Sequence, residues 1–319
     1  MSHETTKGAG RAGLESFGEA PGGKNFLLVI AIDEYVHCPP LRNCVKDAQD
    51  LIEVLTGRYR FEAAHVRTLF NERATRPNIH EAFKRLKGLV GPADNLIVFF
   101  SGHGETEDGV GYWVPVDAHP EREYEFLAAS EIKTRLDAID SFHTFVIADA
   151  CFSGSFFVAY KSVKLGSEAK RSRLGLTASH SRERALDGPA GDNSPFAQQL
   201  LQNLRDSGGA LSVHQLAANV IQGVEATTRG RQTPVFRHLD VRGDEMGQFV
   251  FHLRADEAAD WAACQEAGTV AAYEAFLDRY PESKYADDAQ SVLAERREER
   301  WWREATEQQT IVAYYDYLQ

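Results

Sequence analysis

The chain has 319 residues, is 43% hydrophobic and carries a formal charge of −12 at pH 7. That is enough apolar material for one sizeable core and a second, smaller unit, while no apolar run approaches the roughly 18 residues that a membrane span needs. The negative balance argues against nucleic acid as the main partner, and four irregularly spaced cysteines (Cys38, Cys44, Cys151, Cys264) give neither a disulfide framework nor a metal set.

Residues 1–24 read as a flexible arm rich in Gly, Glu and Ser, without the apolar centre of a signal peptide. The expectation is therefore a reduced, soluble, cytoplasmic protein. The arm contains Gly8-Ala-Gly-Arg-Ala-Gly13, which matches the spacing of a dinucleotide-binding turn. No strand precedes it and no apolar helix follows, so the match lacks its mechanism.

From Phe26 strands and helices alternate. Strands are expected at Phe26–Asp33, Val66–Phe70, Asn95–Ser101, His143–Ala150 and Leu174–Ser179, with a short extension at Tyr112–Val116 and further strand-like pieces at Pro234–Leu239 and Gln248–Leu253. Helices are expected at Cys44–Thr56, Pro77–Val90, Ser130–Ile139, Phe196–Leu204 and Val213–Ala226. This alternation implies an α/β fold with a mainly parallel sheet covered on both faces. The domain expected is 25–254, followed by an all-α region over 255–319.

That tail holds fifteen acidic and six basic residues, so it carries nine of the twelve excess negative charges. Trp261 and Trp302 lie 41 residues apart, and Thr269-Val-Ala-Ala-Tyr-Glu-Ala-Phe-Leu277 lines up with Thr310-Ile-Val-Ala-Tyr-Tyr-Asp-Tyr-Leu318. Such a period marks stacked helical repeats, and the segment from Tyr273 to Ala286 resembles tetratricopeptide-type helix pairs. The second copy stops in mid-unit, so the native protein is expected to continue past Gln319.

Two strands end on reactive groups. Asn95-Leu-Ile-Val-Phe-Phe-Ser101 runs into Gly-His103-Gly104, and His143-Thr-Phe-Val-Ile-Ala-Asp149 runs into Ala-Cys151-Phe-Ser-Gly154. In parallel α/β sheets the carboxyl ends of strands are where ligands and reactive groups collect. A thiol becomes a useful nucleophile once it loses its proton, and a neighbouring imidazole assists. A lone cysteine after an apolar strand is ordinarily a small buried hydrophobe; the paired, glycine-flanked motifs favour catalysis. His37, His65, His80, His119, His143, His180, His214, His238 and His252 have no such setting, and their spacing gives no zinc set.

These motifs resemble the caspase/metacaspase-type cysteine peptidases, in particular their bacterial members, over about residues 26–253. Tyr112-Trp-Val-Pro-Val-Asp117, Gln232-Thr-Pro-Val235 and Gly247-Gln-Phe-Val-Phe251 add to the likeness. The resemblance implies a caspase–hemoglobinase three-layer sandwich and a His103–Cys151 dyad with no third member. Cys151 would form the thioester, His103 would protonate the leaving amine, and the amides of Gly104 and Cys151 would hold the oxyanion. It also implies an acidic S1 pocket of Cys44, Asp47, Ser101 and Asp149. Asp149, two residues before the nucleophile, shares its strand face, which suits an Arg or Lys at P1. Phe152 stands where many relatives have His after the nucleophile. No cofactor is implied, and calcium dependence stays open.

Lys161 to Arg184 contains seven Lys or Arg and two Glu. Lys161, Lys164, Lys170, Arg171 and Arg173 are candidate self-cleavage sites, because caspase-like enzymes often carry a cleavable linker there. The expected partners are a protein substrate and a regulatory protein bound by the tail; bacterial relatives are linked to defence or regulated cell death. Alternatives left open are a non-catalytic scaffold, peptide ligation by the same thioester route, and Asp specificity at P1.

Overall fold

The computed structural model describes residues 22–150, 157, 166–179, 185–255, 257–281 and 283–308. Cys151, Lys161, Lys164 and the segment 310–318 lie outside the described residues.

Six strands form the central sheet in the order β10-β8-β7-β3-β1-β2. They are β1 (Asn25–Ala31), β2 (Val66–Phe70), β3 (Asn95–Ser101), β7 (His143–Asp149), β8 (Ser172–Thr177) and β10 (Val235–His238). All neighbours run parallel except β10, which pairs antiparallel with β8. Every residue of β3 and β7 is buried, as expected for strands covered on both sides. Alternate side chains then feed two cores. Ile97 and Phe99 join one with α1 (Cys44–Arg58), α4 (Pro195–Asp206) and α5 (Val213–Thr228); Leu96, Val98 and Phe100 join the other with α2 (Arg76–Leu89) and α3 (Ala129–Asp137). The result is helix, sheet, helix.

Local chemistry sets the helix starts. Thr75, Ser194 and Ser212 each accept a backbone N–H three residues on, and α2 and α4 carry proline in the first turn. Helix α1 has no side-chain cap of its own. Asp33, just past β1, supplies it from a distance, taking the N–H groups of Cys44 at 2.8 Å and Val45 at 3.2 Å.

The small pieces differ from expectation. Of the Tyr112–Val116 piece, Tyr112 and Trp113 belong to a separate three-stranded sheet of β4 (Gly104–Glu107), β5 (Val110–Trp113) and β6 (Leu127–Ala128), and the strand ends there. Trp113 stacks flat on Phe100, centroids 4.4 Å apart, tying this sheet to the second core. The Gln248–Leu253 piece pairs as β11 (Val250–Phe251) with β9 (Leu211–Ser212), outside the central sheet.

One candidate cleavage site is corrected. β8 starts at Ser172, two residues earlier than expected, and it includes Arg173. That side chain is 3% exposed, with its guanidinium donating to the carbonyls of Ser141, Phe142, Ser172 and Arg242. A peptidase needs its substrate extended and free, whereas Arg173 is paired with β7 and its carbonyl accepts Leu239 N–H. Arg171 is fastened too: its side chain meets Asp140 and its carbonyl accepts the N–H groups of Glu245 and Gly247. Lys170 is exposed in the turn before β8.

Residues 254–319 form a second compact unit, separate from 1–253. Its described part has three helices, α6 (Glu257–Ala267), α7 (Val270–Arg279) and α8 (Ala286–Gln308). Trp261, Cys264, Tyr273, Phe276, Ala289 and Leu293 make a core of their own. Trp261 is 8% exposed, but Trp302, its counterpart in the 41-residue alignment, is 49% exposed on the long α8. Three helices do not by themselves establish a tetratricopeptide array. Among the described residues no helix is long and apolar enough to cross a membrane.

Candidate active site

β3 and β7 are adjacent and in register, so that Ser101 faces Asp149 at their carboxyl ends. Just beyond, Gly102 N–H donates to the Asp149 carbonyl at 3.4 Å and the chain turns to present His103. The His103 carbonyl accepts Val114 N–H at 3.0 Å as the chain enters β4, and its own N–H donates to the Tyr35 hydroxyl at 2.8 Å.

His103 Nε2 lies 2.7 Å from the Pro39 carbonyl oxygen. A carbonyl can only accept, so Nε2 carries the hydrogen and Nδ1 keeps its lone pair. The sequence offers no third catalytic side chain; here a backbone carbonyl orients the ring, and a carbonyl leaves no residue-type signal to read. Nδ1 has no hydrogen-bond partner among the described residues.

A cavity of about 70 Å³ opens beside the imidazole, on the scale of a guanidinium or ammonium head with a few waters. His103, Gly104, Cys44, Asp47, Ser101 and Asp149 all line it. The structure thus brings together the four residues expected at S1 and the expected base. It also adds Leu41, Asp187 and Ser194, which the sequence reading missed. The Ser194-Pro195 pair was a legible helix start, but nothing local said that this helix would point at the pocket.

The cavity is crowded with carboxylates. Asp47 is 1% exposed and accepts from Ser194 N–H at 3.3 Å and the Asn193 amide at 2.8 Å. Asp149 is 6% exposed and accepts the Ser194 hydroxyl. Burial pushes both carboxyls well above the usual range; the Asp47 charge and, more weakly, Asp187 raise Asp149 further, while the Ser194 hydroxyl opposes this. Burial raises Asp187 too. Burial and the closeness of the two carboxyls thus favour their protonated forms, and a cationic group bound beside them would favour the ionised ones.

Cys44 is 5% exposed, and burial lifts its thiol well above the ordinary value despite a hydrogen bond with Ser101. It stays a thiol and forms wall rather than nucleophile. The opposite wall is fastened through Asn43, whose amide donates to the carbonyls of Asp187 and Pro189 while its oxygen accepts Gly191 N–H at 3.0 Å. Among the described residues no group of three or more His, Cys, Asp or Glu is arranged to hold a metal ion.

Residues 24–244 match the family model of the caspase domain, peptidase family C14. Among solved structures, protein GSU0716 from Geobacter sulfurreducens is similar at 19% identity with a TM-score of 0.49, the match covering 67% of this chain and 92% of that one. No curated protein matches.

Proposed function

Since this chain belongs to the caspase-domain family of cysteine peptidases, we propose that it is an endopeptidase cutting protein substrates after Arg or Lys, with His103 and Cys151 as its dyad. Cys151 follows Asp149 by two residues at the end of β7, next to the strand that delivers His103. His103 Nδ1 takes the thiol proton, the thiolate attacks the scissile carbonyl, and the imidazolium returns the proton to the leaving amine. Water then hydrolyses the thioester. The amides of Gly104 and Cys151 stabilise the oxyanion.

The observation that carries the P1 assignment is the cavity itself. It joins the base to Asp47 and Asp149, two buried carboxyls, and among the described residues that line it there is no Lys or Arg. An Arg or Lys side chain supplies the missing charge through charge-assisted hydrogen bonds. An Asp side chain would bring a negative charge against buried carboxyls that already disfavour charge, and is rejected.

Self-processing belongs to the same reading, with Lys161, Lys164 and Lys170 as its sites, since Arg171 and Arg173 are fastened into the fold. The tail, folded around its own core, serves to recruit a substrate or regulatory protein. Peptides with Arg, Lys or Asp at P1, assayed on wild type, Cys151→Ala and Asp149→Ala, test the proposal. Turnover of the Arg and Lys peptides, lost in Cys151→Ala, is expected. Preference for Asp at P1 removes the pocket assignment, and activity surviving in Cys151→Ala removes the dyad.

A further inference from the structure

The loop between β1 and α1 grips His103 at three points. The Pro39 carbonyl takes the Nε2 hydrogen at 2.7 Å, and the Tyr35 hydroxyl accepts the backbone N–H at 2.8 Å. The phenol ring also lies against the imidazole, with centroids 4.7 Å apart and planes tilted by 52°. The residue before the histidine is shaped by the same hydroxyl: a Cβ on Gly102 would come within 2.5 Å of Tyr35 Oη. Glycine stands there because the tyrosine fills the space.

The loop is braced independently of what it holds. Val36 N–H donates to the Val116 carbonyl, Leu41 N–H to the Asp33 carbonyl, and Asp33 N–H to Asn71 Oδ1 at 2.8 Å. Burial keeps the Tyr35 phenol neutral well beyond the usual range, so its oxygen is a constant acceptor at any working pH. A braced loop with a neutral acceptor and a flat ring gives the histidine little freedom to tilt.

We propose that Tyr35 is a positioning residue for His103, fixing its backbone and one ring face and so setting the direction in which Nδ1 meets the nucleophile. This rests on the dyad reading given above. Among the described residues the contacts of Tyr35 bear on the chemistry only through the histidine. Misplacing a catalytic group by about 1 Å can cost on the order of 100-fold in rate. Tyr35→Phe keeps the ring contact and removes the acceptor, and is expected to lower kcat by about 10- to 100-fold with KM within about twofold.

A merely structural tyrosine would lower thermal stability and leave the folded enzyme's chemistry alone, so the deciding readout is the nucleophile. The rate of Cys151 alkylation by iodoacetamide against pH follows the thiolate, which the imidazolium stabilises. In Tyr35→Phe the midpoint should move up, toward the ordinary thiol value of about 8.5; in His103→Ala it should move further. Gly102→Ala, which pushes on the hydroxyl, should shift the midpoint in the Tyr35 enzyme and much less in the Tyr35→Phe background. If His103→Ala leaves the midpoint where it was, the dyad reading fails. If His103→Ala moves it while Tyr35→Phe overlays wild type in midpoint and kcat, the dyad stands and the role given to Tyr35 is wrong.

Discussion

Two histidines sit at opposite ends of the paired strands β3 and β7, and they are held in much the same way. His103 gives its Nε2 hydrogen to the Pro39 carbonyl; His143, at the start of β7, has Nε2 within 3.2 Å of the Glu168 carbonyl. The difference lies at the other nitrogen. His143 Nδ1 is closed off by the Ser172 hydroxyl at 2.8 Å, and the residue is 1% exposed. His103 Nδ1 has no hydrogen-bond partner among the described residues, and the residue lines a cavity. A ring with both nitrogens satisfied is structure; one that is oriented but left with a lone pair is equipped for proton transfer.

The largest effect should separate the two. Replacing His103 by Ala is expected to cut kcat/KM for a P1-Arg peptide roughly ten-thousand-fold, the scale on which removing a member of a catalytic group acts. His143→Gln should leave kcat within about twofold and instead cost about 1–3 kcal/mol of stability, measured by urea unfolding, for the buried hydrogen bonds it disturbs. Equal loss of activity in both would erase the contrast.

Next in size is the carboxyl at the same strand end as His103. Asp149→Asn keeps an oxygen to accept the Ser194 hydroxyl but loses the charge. We expect turnover of P1-Arg and P1-Lys peptides to fall by about 100-fold, the scale of one charge-assisted hydrogen bond. Stability should move the other way. A carboxyl whose folded pKa is raised binds more protons in the folded than in the unfolded state, so the wild type loses stability as pH rises from the ordinary carboxylate range through neutrality. Asp149→Asn removes that loss. It should therefore melt higher than wild type at pH 8 and about equally at pH 4, below which both forms are protonated.

How much of this was readable beforehand follows the range of the interactions. The strands ending at Ser101 and Asp149 were legible because short apolar runs, 96–100 and 145–148, buried on both faces, state themselves locally. Because they pair in register, Ser101 and Asp149 arrive at one place, where Cys44 and Asp47 of α1 join them. What stayed hidden comes from elsewhere in the chain: Asp33 capping a helix eleven residues away, Asp187 and Ser194 reaching the cavity from beyond β8, and Pro39 acting through its backbone. Arg173 misled for a related reason. A basic residue beside a basic run reads as solvated linker, yet four carbonyls gathered by the fold make it the buried start of a strand.

The smallest effect sharpens the contrast from the structural side. Burial, helped by the nearby Arg173 and Arg171 charges and opposed by the Glu168 carbonyl, holds His143 down at about 4. In the unfolded chain it titrates near 6.5, so between those values the unfolded state binds more protons and stability is lost as pH falls. The difference of about 2.5 units corresponds to about 3 kcal/mol, all of it lost by pH 4. Unfolding free energies of wild type and His143→Gln, compared from pH 7 to pH 4, should therefore converge as the medium is acidified, because glutamine has no proton to gain. A constant gap across that range would show that His143 is charged or solvated in the folded state, and its likeness to His103 would then be one of sequence setting alone.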